Sequence, residues 1–374
     1  GSFDEWYPGE KGWAGPTGYV VHSLCETYNL LCEELTSIEK DLVLATIEKA
    51  ARHLCVRDEK QILANHFAVT MMALDDSWNL LKKEWILEGY NNWWDKFKEL
   101  ITVEGWSLEY DGVDFGYNLA TLSFLAKIHS KNNCPEIEAY AKKSFDFLSY
   151  FVMPDKTFGG RLGSRNTSHI YPFALEYWSA RFETAKAMAL HYRSVASSLC
   201  PPSIQDDHYI MYRLCDYLDA ENDKEGVLEK VTLPFESKES WVKFFNECGI
   251  FIKKTENYYF LANLKKGGSF SIYNLKNCRA VCIDSGLIGK VNGRYVTSQV
   301  MSQRWKIKNS DGSCETSGPL EQVRNKYFNP KKLILFRFVT EIAKKSSYLS
   351  YLLKQIIRKL MIVGERPYTL SMFC

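Results

Sequence analysis

Three runs decide the fold class: Gly249-Ile250-Phe251-Ile252-Lys253, Tyr258-Tyr259-Phe260-Leu261-Ala262-Asn263 and Ser269-Phe270-Ser271-Ile272-Tyr273. They are short and rich in β-branched and aromatic residues. Gly and Asn interrupt them, which is the pattern of antiparallel strands. Four further runs continue it: Ala280 to Asp284, Gly286 to Val291, Tyr295 to Val300 and Trp305 to Lys308. Val291-Asn292-Gly293-Arg294 is read as a hairpin turn, because Asn-Gly accepts the two left-handed positions of a type I′ turn.

Before this region the texture is different. Apolar residues recur at helix spacing in Tyr19 to Leu35, Asp41 to Leu54, Gln61 to Leu81, Tyr90 to Leu100, Phe115 to His129, Glu136 to Phe151 and Pro172 to His191. Helix follows helix, with Gly, Pro, Trp and Asp in the connections. That succession predicts helical hairpins wound into a toroid or solenoid. Ile204 to Leu228 is more polar and reads as a linker with a short helix. The change falls near Glu229. The expected fold class is therefore α+β: an (α/α) toroid over residues 1–225, then an antiparallel β-sandwich over residues 226–374.

Composition limits the function. The chain has 374 residues, above the size of one hydrophobic core, so two domains are expected. With 46% hydrophobic and 25% charged residues it is globular, neither disordered nor collagenous. A net charge of only +2 argues against a nucleic-acid partner, which would call for a large basic excess. Aromatic residues reach 14%, enough for a large core or for a cleft that stacks on sugar rings. The 11 Cys are scattered, without paired CxxC spacing, so free, mostly buried thiols in a reducing compartment are expected rather than zinc or a disulfide framework. No run of ~18–20 apolar residues suggests a membrane span. No leader is visible, although Gly1-Ser2 reads as a cloning remnant. The expected location is cytoplasmic or membrane-peripheral, or periplasmic if a leader was removed.

One segment stands apart in charge. Residues 331–366 contain nine Lys/Arg and two acids, a local charge of +7, against −5 for the rest of the chain. Leu335, Phe338, Ile342, Leu349, Leu352, Ile356 and Leu360 fall at roughly helical spacing within it. This basic amphipathic helix, or pair of helices, could touch an anionic membrane peripherally or pack on the β-domain with its charges in solvent.

Four polar clusters could carry chemistry. Gly12 to Tyr19 places Trp13 in a Gly-rich entry to the first helix, either as a packed cap or as a sugar-stacking rim. Asn65-His66 opens another helix. Glu109-Tyr110-Asp111-Gly112-Val113-Asp114-Phe115-Gly116-Tyr117-Asn118 puts three carboxylates and two phenols before a helix, with Asp114 as its N-cap and Asp111-Gly112 as a turn. Gly159 to His169 combines glycines with Arg161, Arg165, Asn166 and His169; an arginine can fork a carboxylate or sulfate, and the His can move a proton near neutral pH. If alternate loops of the toroid converge, the four clusters make one site. No phosphate loop, dinucleotide fingerprint, HExxH or GxSxG occurs, so no cofactor and no metal are expected.

The sequence resembles the heparinase II/III-like polysaccharide lyases and related proteins of bacterial surface-polysaccharide gene clusters. The resemblance rests on Glu5-Trp6-Tyr7-Pro8, Asn65-His66, Glu109 to Tyr117, Gly163-Ser164-Arg165-Asn166-Thr167 and Lys266-Gly267-Gly268-Ser269-Phe270-Ser271-Ile272-Tyr273. It implies a toroid plus β-sandwich and β-elimination on an acidic, uronate-containing polysaccharide. That reaction needs a group to neutralise the sugar carboxylate, a base for the adjacent carbon acid and a donor for the leaving oxygen. By resemblance, Asn65 and His66 match the family's neutralising Asn and its neighbour, Tyr117 or Tyr110 the catalytic tyrosine, and His169 is the second proton-transfer candidate; His66 is counted with them as a catalytic candidate. Trp13, Glu109, Asp111, Asp114, Arg161, Arg165 and Asn166 are the expected substrate-binding residues. A hydrolase using paired carboxylates, a uronyl C5-epimerase, and a non-catalytic glycan-binding protein remain as alternatives.

Overall fold

The computed structural model describes residues 2–3, 13–57, 63–196, 207–224, 231–310, 312–323, 329–357 and 368–373. Glu5-Trp6-Tyr7-Pro8 lies outside them. By contact density the chain forms two units, Gly1–Leu100 with Asn325–Gly364, and Ile101–Arg324 with Glu365–Cys374. The change from helices to strands falls inside the second unit.

The first unit is helical: α1 (Ala14–Leu31), α2 (Ser37–Val56), α3 (Ala64–Leu81) and α4 (Glu84–Lys98), joined later by α10 (Pro330–Ala343) and α11 (Ser347–Ile357). A reciprocal cap starts α2: Thr36 Oγ1 accepts from Glu39 N, and the Glu39 carboxylate accepts from Thr36 N at 2.9 Å. Helix α1 packs closely on α3, because a Cβ on Gly18 would stand 3.0 Å from the Val69 carbonyl. Ile47, Leu54, Phe67, Trp93 and Phe97 are fully or nearly fully buried, and the Trp93 indole donates to Leu54 O at 3.0 Å. Over its described residues, 331–357, the basic segment is two helices, as its spacing suggests; Leu360 and the rest of it lie outside the described residues. It groups with this first unit rather than being appended to the sheets.

The second unit holds α5 (Phe115–Asn132), α6 (Pro135–Leu148), α7 (Pro172–Ser179), α8 (Glu183–Ala196), α9 (Asp207–Asp223) and the ten strands found among the described residues. The single helix expected over Pro172 to His191 is two. The Trp178 carbonyl accepts from both Arg181 N and Phe182 N, and the Trp178 ring stacks on Phe182 at 5.3 Å, which closes α7 and turns the chain. Nor is Ile204 to Leu228 a linker with a short helix. Helix α9 has 17 residues, and its buried Asp216 accepts from Ser123 Oγ at 2.6 Å and from Phe173 N at 3.2 Å. A buried acid with two such donors belongs to a packed helical layer.

The strands form two antiparallel sheets. The first is a meander of β1 (Trp241–Phe245), β2 (Ile250–Lys254), β3 (Tyr258–Asn263), β4 (Ser269–Asn274) and β5 (Arg279–Asp284). The second runs in the order β10-β9-β7-β6, with β8 also on β9; its members are β6 (Ile288–Val291), β7 (Arg294–Thr297), β8 (Lys306–Ser310), β9 (Ser313–Gln322) and β10 (Tyr368–Phe373). Asn292 and Gly293 have φ of 49° and 77°, the left-handed pair expected of the β6–β7 turn. Ile307 and Cys314 of the second sheet pack on Phe251 and Ala262 of the first and on Leu264 just after β3, making a sandwich.

The aromatic richness is mainly core. Phe147 and Phe151 meet Phe245 of β1 at 4.9 and 6.0 Å, Phe115 lies 4.2 Å from Phe151, and the Tyr259 hydroxyl donates to Tyr150 O at 2.6 Å. This layer fixes the end of α6 and the start of α5 against the first sheet. Among the described cysteines, only Cys25 and Cys248 are buried, so the expectation of mostly buried thiols is not met.

Candidate active site

The Glu109–Asn118 loop begins with a tight turn. Glu109 N donates to Gly112 O at 2.8 Å and Gly112 N to Glu109 O at 3.2 Å. The central residues are Tyr110 and Asp111, one position earlier than the sequence suggests, with φ of 52° and 78°. A bulky residue with positive φ is strained, and such strain is held only where surrounding bonds over-determine it. Here the bonds come from the neighbouring loop: Ser164 Oγ donates to Glu109 O at 2.6 Å, and Ser164 N to Val113 O at 2.8 Å.

Asp114 joins the same two loops. It caps α5 as predicted, accepting from Tyr117 N at 3.2 Å. The same carboxylate accepts from Arg165 N at 2.9 Å, from Thr167 N at 3.3 Å and from the Thr167 hydroxyl. Burial raises its pKa, and these donors act in the opposite sense. Asp114 and Glu109 are both 0% exposed. Neither can face a sugar, so their expected substrate-binding role is corrected: Asp114 ties loops together, and Glu109 lies inside. Asp111 is the one exposed carboxylate of the three.

The Gly159–His169 loop is held from a second direction by residues that sequence reasoning did not place in a site. Lys266, just before the β4 strand, is 3% exposed. Its ammonium donates to Arg161 O at 2.7 Å, to Gly163 O at 2.6 Å and to Asn166 Oδ1. Burial lowers its pKa to about 8, while Asp114 works against that shift. Asn263 Nδ2 donates to Leu162 O at 2.6 Å. The readable signal for Lys266 is its place before Gly267 and Gly268, both left-handed, between two strands. Asn166 therefore anchors the loop through its side-chain oxygen, although the residue itself is exposed.

These anchors bring Tyr110, Tyr117 and Arg165 together. The Tyr110 and Tyr117 rings are 5.9 Å apart, and the exposed Arg165 guanidinium lies 4.3 Å from the Tyr110 ring centre. Burial first, then Tyr110 and Glu109, push the Tyr117 phenol well above its ordinary pKa, with Arg165 opposing. His169 joins through the backbone: a Cβ on Gly116 would stand 2.9 Å from His169 N and 2.5 Å from Thr167 Oγ1. Arg161 is exposed on the same loop. Asn118, in contrast, is buried among Ser107, Tyr140 and Ser144, and its amide serves the core.

Trp13, Asn65 and His66 belong to the first unit. The Trp13 ring meets the His66 ring edge-on at 5.3 Å, and a Cβ on Gly15 would stand 2.7 Å from His66 Nδ1. Trp13 is only 7% exposed, so it is a packed helix entry and not an open stacking rim. Also in this unit, His22 Nδ1 lies 2.6 Å from the Asp76 carboxylate, with Glu26 one turn along α1. Among the described residues this is the one His/Cys/Asp/Glu group able to hold a cation; the sequence spacing did not suggest it.

Among solved structures, heparinase III matches with a TM-score of 0.51 and 12% identity, over 84% of this chain and 51% of its own. The chain thus spans about half the length of heparinase III. A second polysaccharide lyase matches with a TM-score of 0.35 and 10% identity, over 63% of this chain and 73% of its own. No protein-family model and no curated protein matches. The likeness to heparinase III establishes the fold: a heparinase-like polysaccharide lyase fold, helices first and antiparallel sheets after.

Proposed function

We propose that this chain is a carbohydrate-active enzyme that cleaves an acidic, uronate-containing polysaccharide by β-elimination. The observation that carries the reading is the Tyr110–Tyr117–Arg165 group, two neighbouring phenols, one of them under an exposed guanidinium, on anchored loops. Arg165 forks the sugar carboxylate and lowers the cost of charge at the adjacent carbon. His169 takes the proton from that carbon. The electron pair forms the new double bond as the bond to the leaving oxygen breaks. Tyr117, held protonated by burial, returns a proton to that oxygen. Asn65 carries a neutralising role, with His66 beside it, only through the family resemblance.

The hydrolase alternative is weaker, because two of its three carboxylates are buried and cannot flank a glycosidic bond. The deciding experiment incubates the protein with uronate polymers and follows ultraviolet absorbance of an unsaturated product. Elimination gives that product; hydrolysis and epimerisation do not. Binding without product would favour the glycan-binding alternative.

A further inference from the structure

We infer that α10 and α11 form a docking surface for an anionic lipid bilayer. Asn329 caps α10 by accepting from Lys332 N at 2.9 Å, and Pro330 follows in the first turn, so the helix has a defined start. Thr340, Ala343 and Ser350 are buried where the two helices meet their surroundings. The large apolar residues are not. Leu335, Phe338 and Ile342 repeat at i, i+3, i+7 along α10, and Leu349, Leu352 and Ile356 do so along α11; all six are exposed. Ile334 at 71%, Phe338 at 64% and Tyr348 at 71% are open to solvent to a degree unusual for such side chains.

Charge selects the occupant. Residues 331–366 carry +7 within a chain of net charge +2. Lys331, Lys332, Arg337 and Lys345 are exposed beside the apolar stripes, and the acid of α10, Glu341, is paired with Lys344. A two-fold contact between copies through this face would bring two +7 segments together, which is unfavourable. A nucleic acid would meet the cations but leave the Leu, Ile and Phe side chains in water. An anionic bilayer meets both features: headgroups take the cations, and the acyl boundary takes the apolar stripes. No described helix is long and apolar enough to cross a membrane, so the contact is one of lying on the surface.

The test uses the full chain with vesicles of phosphatidylcholine alone or mixed with phosphatidylglycerol. Co-sedimentation is expected with the mixed vesicles at low salt, decreasing as salt rises, and not with phosphatidylcholine alone. The triple variant Lys331→Gln, Lys332→Gln, Lys345→Gln should weaken partitioning by about 100-fold, at roughly fivefold for each cation near the surface. Phe338→Asp with Leu352→Asp should abolish it, with circular dichroism checking the fold; if that variant misfolds, the triple variant decides. Absence of sedimentation at low salt, or binding unchanged in the triple variant, would overturn the inference. So would a lipid-free dimer that Phe338→Asp dissociates, which would assign the face to a second copy.

Discussion

Lys266 and Asp114 grip one loop by its two kinds of backbone group. The cation takes the carbonyls of Arg161 and Gly163, and the anion takes the amides of Arg165 and Thr167. Arg165 owes its place over Tyr110 to this double hold. Lys266→Met should leave buried carbonyls unmet and destabilise the protein by about 2–4 kcal/mol. Denaturant unfolding measures this, and an unchanged midpoint would dismiss the anchor.

The same lysine gives a pH signature. Its folded pKa is depressed to about 8 from 10.5. Between those values the unfolded chain holds a proton that the folded chain has lost, so stability from this group rises with pH across that window. The gap in unfolding free energy between the parent and Lys266→Met should therefore widen from pH 8 towards 10.5. A gap independent of pH contradicts the shift.

Tyr117→Phe removes a proton donor and almost no volume. Turnover of a uronate polymer should fall by about 10²–10⁴-fold while binding and thermal stability hold. Because burial raises this phenol, its ionisation should not limit activity below about pH 10. Full activity in the Phe variant would remove Tyr117 from the reaction.

Gly116→Ala places a methyl against Thr167 Oγ1 and the His169 backbone. Helix propensity favours Ala, yet the clash with backbone dominates, and a loss of about 1–3 kcal/mol is expected. Turnover should fall with it, since His169 moves. Calorimetry and the lyase assay on one preparation test both parts.

Asp114→Asn supplies a single acceptor oxygen where four donors converge and turns an amide against the others. Stability should drop by about 2–4 kcal/mol. The Arg165 loop should become more open to proteolysis. Unaltered protease resistance would argue that other contacts hold the loop.

What the sequence revealed follows the range of the forces involved. The β3 strand was legible because Tyr258 to Asn263 is compact and bounded by Asn and Lys-Gly signals, and the Asn292-Gly293 turn because it is local chemistry. The β9 strand was hidden by Gly318 and Pro319, which read as breakers. Gly318 is there because a Cβ would run into the Trp305 ring, a contact made only in the folded chain. The loops around Tyr110 and Arg165 were visible as clusters of polar residues. Their anchor was only half legible: Gly267-Gly268 marks Lys266 as lying at a turn, but its role comes from carbonyls about a hundred residues away. Burial likewise decided against Glu109 and Asp114 as sugar ligands, and burial is a tertiary property.

The pairing of β9 with β10 has a consequence for how the chain could have been assembled. Tyr368 stands opposite Glu321, so two strands adjacent in the sheet bracket everything between them. The basic helices occupy that bracket and nothing else in the sheet order depends on them. They are a cassette spliced into the tip of a hairpin. Replacing residues 324–366 by Asn-Gly leaves a five-residue connection between the paired Glu321 and Tyr368, short enough for a hairpin, and should leave both sheets, and the Tyr110–Arg165 loops, to fold without it. A module attached in this way can be removed in one step without touching the Tyr110–Arg165 loops, so its contribution can be measured apart from theirs.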